Sequence, residues 1–222
     1  MPKNRAGLLA LASLIAGNAF GAPLITNGSL TGPIANFGVP PGWTVIAGTP
    51  DTMDEGNNVG VIGALTFVTL PIGPSPDGGT WVGIGREGNG FVERFGQTVT
   101  GFTIGAEYIL SWYFGNFGYN GVSPAYDGAN AIEVLVDGTS VGSNALLPTA
   151  RTWTAQSLTF TATAATQEIS FRAASGNKSY ISIDGITLAD AGGGIPEPKA
   201  AFLAAGGLCV LALLGRRRKD SR

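Results

Sequence analysis

Between its two ends, the sequence predicts an all-β protein built as a β-sandwich. Glycine is frequent, with 35 residues among 222, and the signals that begin and end helices are absent from this part of the chain. Apolar and polar residues alternate over short runs such as 108–114 and 132–136, and a period of two indicates strands with one buried face. Turn residues separate these runs, and several short strands at such spacing predict a sandwich of two sheets.

Residues 1–21 have the features of a secretory signal peptide. Lys3 and Arg5 form a positive start, residues 6–16 are apolar, and Ala19 and Gly21 offer small side chains for cleavage before Ala22. The alternative, a permanent N-terminal anchor, is disfavoured because the apolar centre is too short. The sequence therefore predicts export across the inner membrane.

The segment between the ends, residues 22–190, is long enough for one domain with its own core. It contains five basic and thirteen acidic residues, hence a net charge of −8, which makes nucleic acid a poor partner. The chain contains no histidine, and its single cysteine, Cys209, lies in the tail. Catalysis by a Ser-His-Asp triad or by a thiol in the domain is therefore excluded.

Individual strands and turns follow from local patterns. Four side chains are predicted to share the buried face of one strand: Tyr108, Leu110, Trp112 and Phe114. Asp137-Gly138 predicts a tight hairpin turn, and residues 163–167 are expected to close a second hairpin between 158–161 and 168–173. In the last strand, residues 179–188, the parity of the apolar residues switches, which predicts a β-bulge at Asp184-Gly185.

Short motifs spread along residues 22–190 carry a resemblance to a known family. They are Asn27-Gly28-Ser29-Leu30, Gly42-Trp43, Pro76-Asp77-Gly78-Gly79 before Trp81, Gln97-Thr98-Val99, Gly105-Ala106-Glu107-Tyr108, Val136-Asp137-Gly138, Trp153 and Ile183-Asp184-Gly185. In this order they resemble the jelly-roll, galactose-binding-like domains of bacterial surface proteins. The resemblance implies a jelly-roll β-sandwich that often binds carbohydrate.

The same resemblance implies a structural calcium ion held by oxygen ligands near the first and last strands, where Asn27 and Asp184 stand. This chain has Thr31 where the family usually has an acidic residue, so one carboxylate is missing. The alternative is that Asp184 bonds to the backbone of the bulge. No other cofactor is expected.

Aromatic residues give the candidates for ligand binding. A glycine-rich loop, residues 115–127, contains Phe117, Tyr119 and Tyr126. Trp81 lies in a predicted strand, and the sequence pattern leaves open which face of the sheet its side chain is on. The alternative is that these side chains cover a sheet edge or belong to the core. Asp51, Asp54 and Glu55, within residues 48–60, are expected to form a solvated acidic loop; the alternatives are a pair of catalytic carboxylates or a set of calcium ligands.

The C-terminal tail follows a glycine-rich linker, residues 191–194, and occupies residues 195–222. Its apolar part, residues 200–215, would span roughly 24 Å as a helix, which is short of the ~30 Å hydrocarbon core and predicts a marginal single transmembrane helix. Four consecutive cations at residues 216–219 predict a cytoplasmic end. These membrane-orienting residues are Arg216, Arg217, Arg218 and Lys219.

A proline-flanked motif precedes this apolar segment: Pro196, Glu197 and Pro198. Motif, apolar helix and basic end together resemble the PEP-CTERM sorting signal of Gram-negative bacteria. The resemblance implies a membrane-anchored precursor, an exosortase as partner, and a final location at the cell surface or in the extracellular matrix. The two prolines would keep the motif extended.

Three functions are compatible with these features. The first is a sorted, non-enzymatic surface or matrix protein that binds carbohydrate, such as a polysaccharide, or another surface component. The second is a purely structural matrix protein without a ligand. The third, ranked last, is a glycoside hydrolase, which needs two carboxylates at a set separation that no cluster in the sequence indicates.

Overall fold

The computed structural model describes residues 24–55, 67–69, 72–88 and 90–192. The predicted signal peptide and sorting tail lie outside the described residues. Eleven strands are present, and none of the described residues is helical. In chain order they are β1 Thr44–Ala47, β2 Asp51–Met53, β3 Trp81–Glu87, β4 Phe91–Val92, β5 Arg94–Thr100, β6 Glu107–Gly115, β7 Ile132–Val136, β8 Thr139–Ser143, β9 Thr154–Thr161, β10 Thr166–Ala173 and β11 Ser179–Asp190.

The strands form two antiparallel sheets, so the predicted sandwich is confirmed. The five-stranded sheet has the order β1-β5-β10-β7-β8, and the six-stranded sheet has the order β2-β3-β11-β6-β9, with β4 paired to one end of β3. Within the described part of the chain, no helix is long and apolar enough to cross a membrane.

The main core lies between the two sheets and is rich in aromatic side chains. Trp43 packs on Phe95 and Phe171 with ring centroids 5.2 and 6.0 Å apart, and Trp112 lies 6.4 Å from Phe171 across the sandwich. Aromatic residues bury the largest areas and therefore contribute most to such a core. Because both sheets and this core lie within residues 24–192, we treat this segment as a complete folding unit.

The alternation predicted for β6 is confirmed. Tyr108, Leu110, Trp112 and Phe114 are all buried in the core, whereas Ser111 and Tyr113 are half-buried on the opposite face. This opposite face is the outer face of the six-stranded sheet, and the open part of it forms the candidate site.

Of the two predicted hairpins, one is confirmed and the other is wrong. Asp137 and Gly138 both have positive φ (49° and 77°), as the tight turn between β7 and β8 requires. Residues 163–167 do not close a hairpin, because β9 pairs with β6 in one sheet whereas β10 pairs with β5 and β7 in the other. The segment is a short connection from β9 in the six-stranded sheet to β10 in the five-stranded sheet.

The predicted bulge in β11 is confirmed. The register with β6 shifts between Asp184 and Thr187, and Gly185 adopts φ 59°. The shift lets Ile183 and Ile186 both reach the core. The N-terminal segment contacts this bulge, since the Gly28 carbonyl accepts a hydrogen bond from the Ile186 amide at 2.8 Å.

Candidate functional site

Two adjoining grooves open on the outer face of the six-stranded sheet beside the bulge. The first, about 340 Å³, crosses β6, β9 and β11. The second, about 350 Å³, lies between β11 and residues 24–29. Asp77, Gly185 and Thr187 line both, so the two form one continuous depression, which we call the bulge groove.

Tyr113 provides the aromatic floor of the bulge groove. Its cross-strand neighbours are Asp184 on β11 and the small Ala155 on β9. Gly185 allows the ring to lie against the bulge, because a Cβ there would come within 2.6 Å of the Tyr113 Cδ2 atom. The positive φ of Gly185 adds a second reason for glycine at this position.

Three hydroxyl groups form a row beside the tyrosine. Thr187 pairs with Ser111, and Ser111 pairs with Ser157, so β11, β6 and β9 each contribute one hydroxyl at the same level of the sheet. The Asp77 side chain, on an exposed turn, is the charged group in the lining. The groove therefore offers one aromatic ring, one carboxylate and a line of neutral hydroxyls, which can serve as donors and acceptors.

Asp184 lies on the same face of the sheet but has no exposed surface. Neither of its carboxylate oxygens has a hydrogen-bond partner of normal geometry. Burial, and to a lesser extent the nearby Asp77, raises the pKa of Asp184 to about 7, although Ser75 and the Gly185 amide act in the opposite direction. At neutral pH the Asp184 carboxyl is therefore about half protonated, which lowers the cost of leaving it buried.

The residues predicted to hold calcium fit that ion poorly. The Asn27 amide donates to the Thr31 and Pro41 carbonyls at 3.0 and 2.8 Å, and its side-chain oxygen accepts from the Thr31 amide. Its polar atoms thus serve the local turn. Three or more acidic, histidine or cysteine side chains do not converge on one point anywhere in the described ranges. Asp184 alone supplies an unpaired carboxylate, and calcium needs six to eight oxygens.

Trp81 and Phe117, two of the predicted ligand-binding aromatics, have no exposed surface. They belong to a second cluster on the outer face of the six-stranded sheet, away from the core between the sheets. Its buried members are Met53, Phe67, Ile72, Trp81, Phe117 and Tyr180. In this arrangement neither side chain presents a surface to a ligand.

Tyr119 and Tyr126, the other two predicted aromatics, are half-buried and contact each other. Their rings stack with centroids 5.8 Å apart, and the Tyr126 hydroxyl donates to Glu87 at 3.0 Å. The Lys178 ammonium lies 4.5 Å from the Tyr126 centroid and forms an ion pair with Glu87. The structure thus brings these tyrosines together in a polar cluster, separate from the bulge groove.

The expectation of a solvated acidic loop is wrong for Asp51. This residue lies in β2 with no exposed surface and accepts hydrogen bonds from the Phe37 amide (2.9 Å) and the Tyr180 hydroxyl (2.6 Å). Burial raises the pKa of Asp51 above its ordinary value, and these two bonds act against that rise. The buried carboxylate thus joins the segment before β1, which carries Phe37, to Tyr180 on β11.

Glu93 is a second buried acid in the same region. It accepts hydrogen bonds from the Gly85 amide and, at 2.9 Å, from the Thr49 hydroxyl. Burial raises the pKa of Glu93 to about 8, and repulsion from Asp51 adds to the rise.

Tyr113 and Ser111 line the bulge groove but were not among the ligand-binding residues predicted from the sequence. The signal was present in the alternation of β6, where both have the opposite parity to Trp112. What was missing was the register that places Thr187, Ala155 and Gly185 around them.

Comparisons with known proteins leave the family open. No family model matches the chain, and no curated protein matches it. Among solved structures it is similar to the enzymatically active domain of bacteriophage CBA120 tailspike protein 4 (16% identity, 68% of this chain, TM-score 0.42), of whose length the match spans 19%. It is also similar to a CBM4 structure (17% identity, 75% of this chain and 99% of that chain, TM-score 0.43) and to a family 35 carbohydrate binding module from Clostridium thermocellum (12% identity, 67% and 98%, TM-score 0.38). At these values the similarities assign neither a family nor a ligand.

Proposed function

We propose that this chain is an exported, non-enzymatic protein that binds carbohydrate in the bulge groove. The observation that carries the proposal is the Tyr113 ring, half-buried between Ala155 and Gly185, with a row of hydroxyls and one carboxylate around it.

This combination suits the chemistry of a sugar. A sugar ring has apolar C–H faces, which pack on an aromatic side chain, and a rim of hydroxyls, which need donors and acceptors. Tyr113 would meet the face, while Asp77 and the hydroxyls of Thr187, Ser111 and Ser157 would meet the rim.

The charge of the groove favours neutral glycans. Asp77 is the charged side chain in its lining, and no cation lines either part of it. Three cations of the domain are held in ion pairs elsewhere, namely Arg94 with Glu168, Arg172 with Glu133 and Lys178 with Glu87. A polysaccharide with carboxylate or sulfate groups would therefore meet repulsion that a neutral one avoids.

Binding fits this geometry better than hydrolysis does. Glycoside hydrolysis generally needs two carboxyl groups that both face the scissile bond. Asp77 faces the groove, but Asp184 has no exposed surface, so its raised pKa does not give it access to a substrate. The groove therefore supplies recognition groups without a pair of catalytic acids.

Calorimetry on residues 22–192 with a panel of neutral oligosaccharides tests the proposal. We expect at least one to bind, and we expect Tyr113→Ala to abolish that binding while the variant stays folded. Tyr126→Ala is the matched control, because it removes a half-buried tyrosine from the separate polar cluster. Failure of every neutral glycan to bind would leave the purely structural alternative. Unchanged binding by Tyr113→Ala would place the sugar outside the bulge groove and refute the proposed site.

Export and sorting form a separate part of the proposal, supported by the sequence patterns at residues 1–21 and 195–222. The tail would act as a temporary anchor that an exosortase recognises at residues 196–198, before release to the surface or matrix. Deleting residues 195–222 should change the final location of the protein, as followed by cell fractionation. An unchanged location would refute this part without affecting the carbohydrate proposal.

A further inference from the structure

Four strands end the two sheets, and one of them differs from the rest. β2 is three residues long, β1 is four residues long and β8 is five. The pairings of β1 and β8 are also interrupted by register shifts. Short and irregular edge strands are a common protection against pairing with another chain. β9 has neither protection, since its eight residues pair with β6 in unbroken register from Thr154↔Phe114 to Thr161↔Glu107.

The composition of β9 also leaves its edge unprotected. Its sequence, TAQSLTFT, contains no charged residue, no glycine and no proline. Lysine, proline and bulges are the usual means by which proteins discourage edge-to-edge pairing. Threonine and phenylalanine, by contrast, favour extended structure.

The hydrogen-bond ladder shows which backbone groups of β9 are free to pair. The Ala162 amide, just after β9, donates to the Ala106 carbonyl, which fixes the phase of the ladder with β6. Since the groups alternate in direction along an antiparallel strand, the amides and carbonyls at four positions point away from β6. These positions are Ala155, Ser157, Thr159 and Thr161, and within residues 24–192 as described no strand or isolated bridge pairs with them.

The nearest strand of the other sheet does not occupy this edge. β8 approaches β9 where Gly142 lies close to the Leu158 side chain, so the contact is with the inward face of β9. No backbone pairing joins the two strands. Among the residues that the structure describes, the edge is therefore open along the full length of β9.

We propose that this edge joins two copies of the chain by antiparallel pairing of β9 with β9, so that two six-stranded sheets become one continuous sheet. A strand that pairs antiparallel with its own copy forms a closed two-fold contact, in which both copies use the same residues. The occupant is a second copy because β9 is neutral in a domain of net charge −8. The β9 edge is therefore a surface on which two copies can meet without like-charge repulsion.

The side chains of β9 suit this pairing as well. Those on the outer face are small or hydroxylated, and threonine and serine pair favourably across neighbouring strands. A two-fold axis perpendicular to the sheet would keep both outer faces on one side. If the proposed function holds, the dimer would thus present two bulge grooves to the same polysaccharide.

Thr159→Pro tests the backbone pairing directly. Proline removes the outward amide of Thr159 and leaves the bonds between β9 and β6 intact. Thr159→Val is the matched control, because it keeps that amide and a β-branched side chain. Neither variant alters a residue that lines the bulge groove.

Sedimentation equilibrium on residues 22–192 over a wide concentration range should show a monomer–dimer equilibrium. We expect Thr159→Pro to weaken dimerisation about tenfold or more, because each copy loses a backbone hydrogen bond at the contact. Thr159→Val should dimerise like the unaltered protein. If Thr159→Pro does not fold, as judged by its thermal unfolding transition, Thr161→Pro at the end of the strand replaces it.

Three results would overturn the proposal. The unaltered protein could stay monomeric at every concentration, which would leave the edge to a strand from a different protein. A folded proline variant could dimerise normally, or Thr159→Val could lose dimerisation as fully as proline, which would place the contact in side chains. None of these results depends on whether a sugar binds, so the two proposals fail separately.

Discussion

The outer face of the six-stranded sheet has two halves, one in which the polar groups are covered and one in which they are open to solvent. Over β2 and β3 the second aromatic cluster covers the sheet, and the acids beneath it are hydrogen-bonded: Asp51 to Tyr180, and Glu93 to Gly85 and Thr49. Over β6 and β9 the face is open, and Tyr113 and its neighbouring hydroxyls line the bulge groove. Asp184 lies between the halves, buried but without a partner.

The two halves also differ in the role of their buried acids: Asp51 and Glu93 have hydrogen-bond partners, whereas Asp184, beside the groove, lacks one. In the covered half, each carboxylate joins segments that are far apart in the sequence, so its bonds hold the fold together. Asp184 makes no such bond, so removing its charge should cost the fold nothing. Stability measurements on both halves therefore test the comparison.

The largest expected effect is a loss of stability as pH rises. The folded-state pKa values of Glu93 (about 8) and Asp184 (about 7) exceed those of the unfolded chain, so the native state binds more protons between about pH 4.5 and 8. Stability is therefore full below this window and falls as pH rises through it. From the Glu93 shift we expect a decrease on the order of 4 kcal/mol in the free energy of unfolding between pH 5 and 8.

Urea denaturation of residues 22–192 at several pH values measures this slope. Glu93→Gln should flatten most of it, and Asp184→Asn should remove a smaller part, which ends near pH 7. A free energy of unfolding that increases from pH 5 to pH 8 would contradict the burial of these acids.

The second expected effect is the destabilisation caused by Asp51→Ala. Removing this carboxylate leaves the Phe37 amide and the Tyr180 hydroxyl buried without partners. We expect a loss of about 3 kcal/mol in the free energy of unfolding, measured by urea denaturation at pH 5. A loss below about 1 kcal/mol would show that the covered half does not depend on the acid.

Gly185→Ala should act on both stability and binding. The new Cβ would clash with the Tyr113 ring and would need a positive φ, so we expect a cost of about 2 kcal/mol. Displacement of the ring should also weaken sugar binding. Gly138→Ala is a useful control, because it has a positive φ but open space around its Cβ position. It should lower stability and leave binding unchanged.

Asp184→Asn should have the smallest effect and the opposite sign. Because the carboxylate is buried and unpaired, replacing it with a neutral amide should raise stability by about 1 kcal/mol at pH 8 and change little at pH 5. Thermal unfolding with and without calcium measures this effect. A destabilised variant that has lost a calcium-dependent rise in Tm would show instead that Asp184 holds the ion.

Local sequence patterns predicted the strands better than their partners. The alternation in β6 and the parity switch at Asp184-Gly185 are properties of one strand, and both were confirmed. The connection at residues 163–167 was misread because a short turn between two strands does not reveal whether they share a sheet. That information is carried by pairings between residues far apart in the sequence.

The candidate site also depends on pairings that local sequence patterns do not reveal. Tyr113 could be placed on the outer face from the sequence, but its surroundings come from three strands and a distant turn that carries Asp77. The facing of Trp81 was left open; it points outward, opposite to the core residues Val82 and Ile84, and the second aromatic cluster covers it. Asp51 was misread because its partners lie outside its own loop: the Phe37 amide before β1 and the Tyr180 hydroxyl on β11.

The most direct test of the account is to map where a neutral oligosaccharide contacts the domain. Backbone amide signals of ¹⁵N-labelled residues 22–192 should be followed while the oligosaccharide is added. Carbohydrate binding in the bulge groove predicts that the signals of Tyr113, Ser157 and Gly185 shift with a common dissociation constant, and that those of Tyr119 and Tyr126 stay in place. Shifts confined to Tyr119 and Tyr126 would contradict it.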